Sequence, residues 1–463
     1  MINELTIRNY RSIRDDKITL QPLTVLIGAN GSGKSNLVKA LEFLSEIPAL
    51  GVRLAVSRQG GRNGMVSKEI PLNKIRNSPT FISYRVCLPP PVPGPDTPES
   101  VDVEHSFELQ FTNSRSFTIT QEKLQFHKVL YVGHVLSEDE NSKQVEPDSP
   151  LHYSSDSSFT IHHTNNKITY NVIPEFSNDN IHTYLSWLGL ESLSEKISSP
   201  DELTNFVNTI RTSFNKPKKK NNKNIKKSEL FLDPHIKTIA DFSAHAQRFL
   251  DSVKAIKRYD LLLHELRREQ DPSDSQELSK TGQNLPSALR IIKAENKESF
   301  RRLQTTFETI APHISNMKPQ SLRTGKEFIE FVESKSGREI ESWESSDGSL
   351  RALAILIALE TTSLGETVII EEPEQNLHPW AIRSLIDHIR VIVEEKNIQV
   401  ILTTHSEHVL ERINKQEVRV VTREPENGTS FKRLDQIISK SNIEMGEIGR
   451  LWVKGMLGGV PSL

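Results

Sequence analysis

Gly28-Ala-Asn-Gly-Ser-Gly-Lys34-Ser35 has the spacing G-x-x-x-x-G-K-S, and its flanks decide how it is read. Before it, Leu23-Thr-Val-Leu-Ile27 is a short apolar run of buried-strand length. After it, Ser35-Asn-Leu-Val-Lys-Ala-Leu-Glu-Phe-Leu44 sets its apolar residues at helical spacing. Strand, glycine loop and helix in that order favour a phosphate cradle over a glycine turn that merely joins two elements. Gly28, Gly31 and Gly33 let the backbone curl so that successive N–H groups face one phosphate, and the helix beginning near Lys34 adds its dipole. Lys34 is expected to reach the β and γ phosphates of a nucleotide, and Ser35 to hold Mg²⁺ through its hydroxyl.

Three further segments fit a triphosphate. Thr367-Val-Ile-Ile-Glu371-Glu372-Pro373 is an apolar strand that ends in two carboxylates. Successive strand residues point to opposite sides, so Glu371 can order the water shell of Mg²⁺ while Glu372 orients or deprotonates an attacking water. Alone, the pair would read as a solvated strand end. Ser345-Ser-Asp-Gly-Ser349 precedes the apolar helix Leu350-Arg-Ala-Leu-Ala-Ile-Leu-Ile-Ala-Leu359. Ser346, Gly348 and Ser349 would present free N–H groups and hydroxyls to a second phosphate, although an ordinary N-cap reads the same way. Ile401-Leu-Thr-Thr-His405-Ser406 ends another strand in a histidine placed to sense a γ phosphate, where a lone His would otherwise be structural.

The remaining organisation is that of an α/β core with large insertions. Alternating runs at Ser106–Phe111, Phe117–Thr120, Val129–Val132 and Ile168–Val172 predict antiparallel strands inserted after the first helix. Pro89–Pro95 and the Ser- and Asp-rich stretch around 137–158 read as loops. Helical spacing predicts long helices over Ile239–Arg268 and Leu285–Ile314, separated by a polar linker, with no heptad run long enough for a coiled coil. Strands Val368–Ile370 and Val400–Leu402 restore the pattern of a parallel sheet near the end. The expected division is 1–77, the first part of the core; 78–180, a β-rich insert; 181–315, a helical insert; and 316–463, the rest of the core.

Composition narrows the function classes. With 58 Lys and Arg against 60 Asp and Glu, the net charge is −2, so no global field draws the chain to nucleic acid. The basic run is local, Lys216-Pro-Lys-Lys-Lys220 with Lys223, Lys226 and Lys227. A single cysteine, Cys87, excludes an internal disulfide and a Cys-rich zinc site, fits a reducing compartment, and reads as a small buried apolar residue. Met1–Asp16 lacks the apolar run of a signal peptide, and no stretch approaches the roughly 18 apolar residues of a membrane span. A cytoplasmic protein without membrane partners is expected.

The order of these motifs resembles the ABC-type ATPase head shared by RecF and SMC proteins. Asn30-Gly31-Ser32-Gly33-Lys34-Ser35-Asn36 is similar to that group's Walker A. Ser346-Asp347-Gly348-Ser349 is similar to its signature, Glu371-Glu-Pro-Glu374 to its Walker B, Asn376-Leu-His378 to its D-loop and Thr404-His405-Ser406 to its switch histidine. Asn9-Tyr-Arg11-Ser12 resembles the N-terminal phrase in which an arginine approaches the nucleotide. Glu-Glu-Pro-Glu-x-x-Leu-His-Pro at 371–379, Gly282–Leu285 and the tail Ile448–Gly459 resemble RecF-like prokaryotic AAA-family ATPases, some of which serve antiphage systems such as Septu and PARIS beside a separate nuclease.

The resemblance implies a P-loop head with a mixed sheet, ATP and Mg²⁺ as cofactors, and an ATP-dependent homodimer or higher oligomer. In that assembly one subunit's signature caps the nucleotide on the other's P-loop. It implies Glu372 as the base, and a partner effector, a nuclease in the manner of the defence relatives. Two residues depart from the group: Glu371 stands where many heads have Asp, and Asp347 replaces a signature glycine and puts a carboxylate near the incoming phosphate, so slow hydrolysis is expected. Gln59 is a candidate for the Q-loop. A RecF-like repair clamp touching DNA and a nucleotide switch that does not hydrolyse remain as alternatives. An intrinsic nuclease is disfavoured, because the stretch after Ser406 is short for an added catalytic domain.

Overall fold

Two strand patterns in the chain give two kinds of sheet. A computed structural model describes residues 1–67, 78–88, 101–113, 116–127, 158–164, 167–173, 244–438, 447–455 and 457. The chain divides into one unit of Met1–Ile2, Tyr10–Glu42 and Ala255–Leu463 and another of Asn3–Asn9 and Phe43–Lys254.

In chain order the elements begin with β1 (Ile2–Tyr10), β2 (Ile13–Thr19), β3 (Leu23–Ile27), α1 (Lys34–Leu50), α2 (Val52–Arg58) and α3 (Gly61–Met65). Five strands follow: β4 (Thr80–Leu88), β5 (Val101–Phe111), β6 (Phe117–His127), β7 (Ser158–Thr164) and β8 (Lys167–Ile173). Next come α4 (Ala244–Lys254), β9 (Ile256–Tyr259), α5 (Leu263–Arg267), α6 (Leu285–Glu295) and α7 (Lys297–Ile310). The rest are β10 (Ile314–Ser321), β11 (Glu327–Glu333), β12 (Glu339–Glu341), α8 (Asp347–Glu360), β13 (Thr367–Glu371), α9 (Pro379–Lys396), β14 (Gln399–Thr404), α10 (Glu407–Leu410), β15 (Val418–Glu424), β16 (Gly428–Arg433), α11 (Leu434–Ile437) and α12 (Ile448–Val453).

In the first unit the strand order is β2-β16-β15-β3-β14-β13-β9. The run from β15 to β9 is parallel, and β16 and β2 add antiparallel pairs at the other side. Strand β3 is buried throughout, and so are the first four residues of β13 and all of β14, as strands covered on both faces must be. Helix α8 is buried from Gly348 to Glu360. Its leucines and isoleucines each contribute about 1.5–3 kcal/mol by leaving water. The small antiparallel sheet β10-β11-β12 lends Met317, Ile329 and Phe331 to the same core.

In the second unit the order is β8-β7-β6-β5-β4-β1, antiparallel from β4 to β8. Strand β4 alternates buried and half-buried residues, the mark of a sheet with one covered face. Cys87 lies on its half-buried side, so the expectation of a fully buried cysteine does not hold.

Two helix expectations need correction. The helix expected over Ile239–Arg268 is two helices interrupted by β9, since Ile256–Tyr259 pair in parallel with Thr367–Ile370. Ala255–Leu463 falls in the first unit, and the second unit takes Asn3–Asn9 and resumes inside α1 at Phe43. The helix expected over Leu285–Ile314 breaks at Asn296, whose non-helical backbone (φ −134°, ψ 84°) and side-chain bond from Ser299 N (2.9 Å) start α7 afresh. Pro89–Pro95, Val129–Val132, the lysines at 216–227 and Gly458–Gly459 lie outside the described residues.

Candidate functional site

Parallel strands collect their chemistry at their carboxyl ends. Thr404 at the end of β14 pairs with Ile27 at the end of β3, and Glu371 at the end of β13 pairs with Thr403. The glycine loop, the paired carboxylates and the histidine therefore leave three adjacent strands at one level.

The loop is held by close backbone approach and a directed hydrogen-bond chain. A Cβ at Gly28 would meet the Val421 carbonyl oxygen at 2.4 Å, and one at Gly33 would meet Thr429 Oγ1 at 2.3 Å. Gly31 and Gly33 sit at φ 79° and 113°, the region that side chains disfavour. Asn36 Nδ2 donates to Ser12 Oγ (2.5 Å), Ser12 and Thr429 share a hydroxyl bond (2.6 Å), and Thr429 Oγ1 donates to the Ser32 carbonyl (2.8 Å). Asn36 thus braces the loop from behind, while Asn30 and Gly31 stand exposed at its tip. Arg11 adopts φ 53° and lays its guanidinium on its neighbour, with the Nε 3.3 Å from the Tyr10 hydroxyl.

Lys34 Nζ donates to the carbonyls of Gly28 (2.7 Å) and Ala29 (3.2 Å) and lies 2.9 Å from His405 Nε2. Burial pushes its ammonium down to about 8, against the pull of Glu372, Glu371 and Glu374. Burial and the charge of Lys34 lower His405 as well. Ser35 Oγ donates to Glu371 Oε2 (3.0 Å), whose other oxygen accepts from Arg258 Nε (2.8 Å). Arg258 also reaches Glu42 (3.3 Å). Burial alone would raise the Glu42 carboxyl, but bonds from Lys280 and Lys39 and the charge of Arg258 hold it at about 2.

Glu372 sits at φ 49°, and its N–H donates to the Thr403 carbonyl (2.8 Å). A left-handed glutamate is strained, and the surroundings impose it. Arg351 Nη2 bonds the carbonyls of Glu371 (2.9 Å) and Glu372 (3.2 Å), and the Glu372 carboxylate accepts from Gln375. Glu374 Oε1 accepts from Thr404 Oγ1 (2.6 Å) and from the His405 N–H (3.0 Å), which ties the histidine turn to the carboxylate strand.

The second cradle is a capped helix start. Ser346 Oγ accepts from the Ser349 N–H (3.2 Å) and donates to Ser349 Oγ (2.7 Å), which stands 3.4 Å from His313 Nε2. A Cβ at Gly348 would lie 2.3 Å from the Asn376 carbonyl oxygen, so only glycine lets α8 approach the Asn376 turn. Asp347 is not the bare carboxylate expected from sequence. Arg267 Nε donates to its Oδ1 (2.9 Å), and the same guanidinium holds the carbonyls of Trp343 (2.7 Å) and Ser345 (2.8 Å). Among the described residues no hydrogen bond joins Ser346 or Ser349 to the glycine loop. Gln59, the Q-loop candidate, is buried at the end of α2 with its amide on Glu46 (3.3 Å).

The residues fit a magnesium-bound triphosphate. Ser35 and Glu371 offer two hard oxygens side by side, a donor set suited to a cation that keeps its waters and shares substrate phosphates. Ser32 Oγ is buried without a partner in the loop, and Lys34 spends its donors on backbone carbonyls. Arg258, Arg267, Thr429 and Glu374 escaped the sequence reading of roles. Arg351 left a trace, as the one charge within the apolar run Leu350–Leu359.

A family model described as "AAA ATPase domain" matches residues 1–410. Similar solved structures include an SMC head domain from Thermotoga maritima, with 10% identity, 93% of this chain and 98% of that chain covered, and a TM-score of 0.38. An Smc head with an extended coiled coil bound to the C-terminal domain of ScpA, from Pyrococcus furiosus, shows 11% identity, 95% and 98% coverage and a TM-score of 0.38. An SmcHead bound to the C-winged helix domain of ScpA shows 12% identity, 94% and 99% coverage and a TM-score of 0.43. Scores at this level are remote likenesses. No curated protein sequence matches the chain. No described helix is long and apolar enough to cross a membrane.

Proposed function

The chain belongs to the AAA ATPase domain family, and from that premise we propose that it binds and hydrolyses ATP at the ends of β3, β13 and β14. The observation that supports this most directly is the presence of two bonded pairs at the ends of these strands, Lys34 with His405 and Ser35 with Glu371. Backbone N–H groups of Gly31–Ser35 wrap the phosphates, and Lys34 turns from its carbonyls to the β and γ oxygens. Bound Mg²⁺ would neutralise phosphate charge, with Ser35 and Glu371 as its protein-side oxygens. Glu372 orients and deprotonates the attacking water, and neutral His405 reports on the γ phosphate from the next strand.

On this reading the Ser346–Ser349 helix start caps a nucleotide bound to a second copy, so that ATP joins two heads and hydrolysis parts them. That use is consistent with a capped, glycine-packed helix start that makes no hydrogen bond to its own chain's loop. Following the resemblance to RecF-like defence ATPases, the nucleotide cycle regulates a separate effector, a nuclease, in the cytoplasm of a prokaryote. One observation favours a second reading, a switch that binds ATP without turning it over: the Glu372 carboxylate is engaged by Gln375.

The test is Glu372→Gln. Turnover is expected to fall about 10³-fold, while ATP stays bound and light scattering shows a stable dimer. Wild-type turnover in the variant removes Glu372 as the base, and absence of phosphate release by the wild-type protein favours the switch.

A further inference from the structure

We propose that Arg258 is a positioning residue that holds the long side chain of Glu371 in the pose a magnesium water shell requires. The inference rests on the ATP-binding reading above and concerns its metal side. Glutamate at this place carries one more methylene than aspartate, and hence one more free rotation. An unrestrained carboxylate on that stem samples many positions, whereas a small cation with near-octahedral demands needs an oxygen in one of them.

The restraint is visible atom by atom. Arg258 on β9 places Nε and Nη2 each 2.8 Å from Glu371 Oε1, leaving Oε2 to face Ser35 Oγ at 3.0 Å. One carboxylate oxygen is thus anchored and the other presented. The anchor is itself fixed. Arg258 Nη1 lies 3.3 Å from Glu42 Oε2, and Glu42 accepts from Lys39 (2.9 Å) and from Lys280. The side chains of Arg258 and Glu42 are only 13% and 9% exposed, so the chain of charges is shielded from the solvent that loosens surface pairs. Two nitrogens held in one rigid plane converge on Oε1 and fix where it sits, which a freely rotating lysine ammonium does less well. Coulomb repulsion between Arg258 and a cation runs the other way, but the guanidinium charge is shared among three carboxylates, Glu371, Glu42 and, at 3.7 Å, Asp260.

The experiment measures binding of a fluorescent ATP analogue while Mg²⁺ is titrated, in wild type, Arg258→Gln, Arg258→Lys and Glu42→Gln. Loss of an outer partner of a metal-side ligand shifts metal affinity by about 10–100-fold. The Mg²⁺ concentration for half-saturation is therefore expected to rise about tenfold in Arg258→Gln, with metal-free nucleotide affinity unchanged. Arg258→Lys should rise too, since charge without the fork does not position, and Glu42→Gln should rise less. In a Glu371→Asp background, where the shorter side chain no longer reaches the fork, Arg258→Gln should add nothing. An unchanged or lowered Mg²⁺ requirement in Arg258→Gln, or a wild-type value in Arg258→Lys, overturns the assignment while leaving ATP binding intact. Wild-type protein that takes up no nucleotide overturns the underlying reading as well. If Arg258→Gln does not fold, the lysine and Glu42 variants decide.

Discussion

Each unit of the molecule contains a cluster built from the same kinds of side chain, and the two clusters behave as opposites. In the second unit, Tyr84, His105 and Glu122 are fully buried at mid-strand, with His105 Nδ1 3.1 Å from the tyrosine hydroxyl and Nε2 2.7 Å from Glu122 Oε1. Tyr84 and His105 face each other across β4 and β5, and Phe249 stacks on Tyr84 at 5.9 Å. Burial and Glu122 push the Tyr84 hydroxyl well above its ordinary range. In the first unit, Lys34, Glu371, Glu372 and His405 stand at strand tips, and turns at φ 49° (Glu372) and 62° (Asn376) aim them. An antiparallel register closes its polar groups upon one another, whereas parallel strands stop and leave theirs facing outward. Titratable side chains mark a site only where the backbone ends beneath them.

The sharpest break of this comparison would be an effect of the closed cluster on nucleotide. Glu122→Ala leaves His105 without its carboxylate in a dry interior. The variant is expected to lose about 1–3 kcal/mol of stability, the cost of leaving a buried hydrogen-bonding group without its partner. Folded protein should keep the ATP affinity of wild type. Chemical denaturation and nucleotide titration on the same sample check both halves, and a weakened nucleotide affinity in folded Glu122→Ala would dissolve the distinction. Replacing His105 and Glu122 together by apolar residues of similar volume should cost far less than the single change.

The open cluster was largely legible in the sequence, and the reason is local. Gly28–Ser35, Glu371-Glu372 and His405 each follow a short apolar run that can only be a buried strand, so position and chemistry are written side by side. Arg258 was hidden because the segment that carries it was misread. Ile256-Lys-Arg-Tyr259 has two apolar residues three apart, as helices do, and becomes a strand only because β13 offers it an edge; tertiary pairing overrode local preference. Thr429 was hidden for another reason. It closes the hydrogen-bond chain behind the loop from 397 residues away, and nothing beside it in sequence announces that partner. Asp347 was visible as a departure, but its neutralisation was not, since the arginine that meets it lies 80 residues earlier.

That arginine supplies a smaller test of how the open cluster is held together. Arg267 binds Asp347 and two carbonyls of the turn before α8, so Arg267→Gln frees a carboxylate at the helix start to which the proposed function assigns a phosphate. Pairing of heads in ATP should weaken about tenfold, the cost of one charge-assisted bond. The double variant Arg267→Gln/Asp347→Gly should recover most of that loss, because the repelling charge is gone. Sedimentation at graded protein concentration reads both. A double variant no better than the single would mean that Arg267 acts on the turn's backbone rather than on the charge.

The mildest expected effect comes from Lys34 and distinguishes the clusters by their response to pH. Its ammonium, down at about 8 in the nucleotide-free protein, lies below the usual lysine value near 10.5. The unfolded chain therefore holds this proton where the folded chain has released it, and stability from this group should increase as pH rises from about 8 to about 10.5. A triphosphate beside the ammonium restores its proton, so binding above pH 8 takes one up. ATP affinity should then be flat through this group below pH 8 and fall by several-fold, at most about tenfold, between pH 8 and 9. The phosphates are already ionised over that interval and add no slope of their own. Lys34→Met should bind more weakly at every pH and lose the slope. Tyr84 and Glu122 changes should leave the slope in place, because their polar groups bond His105 and not a ligand. A wild-type affinity that does not fall between pH 8 and 9 would mean that Lys34 keeps its proton without nucleotide, and that the carbonyls of Gly28 and Ala29 compensate its burial in full.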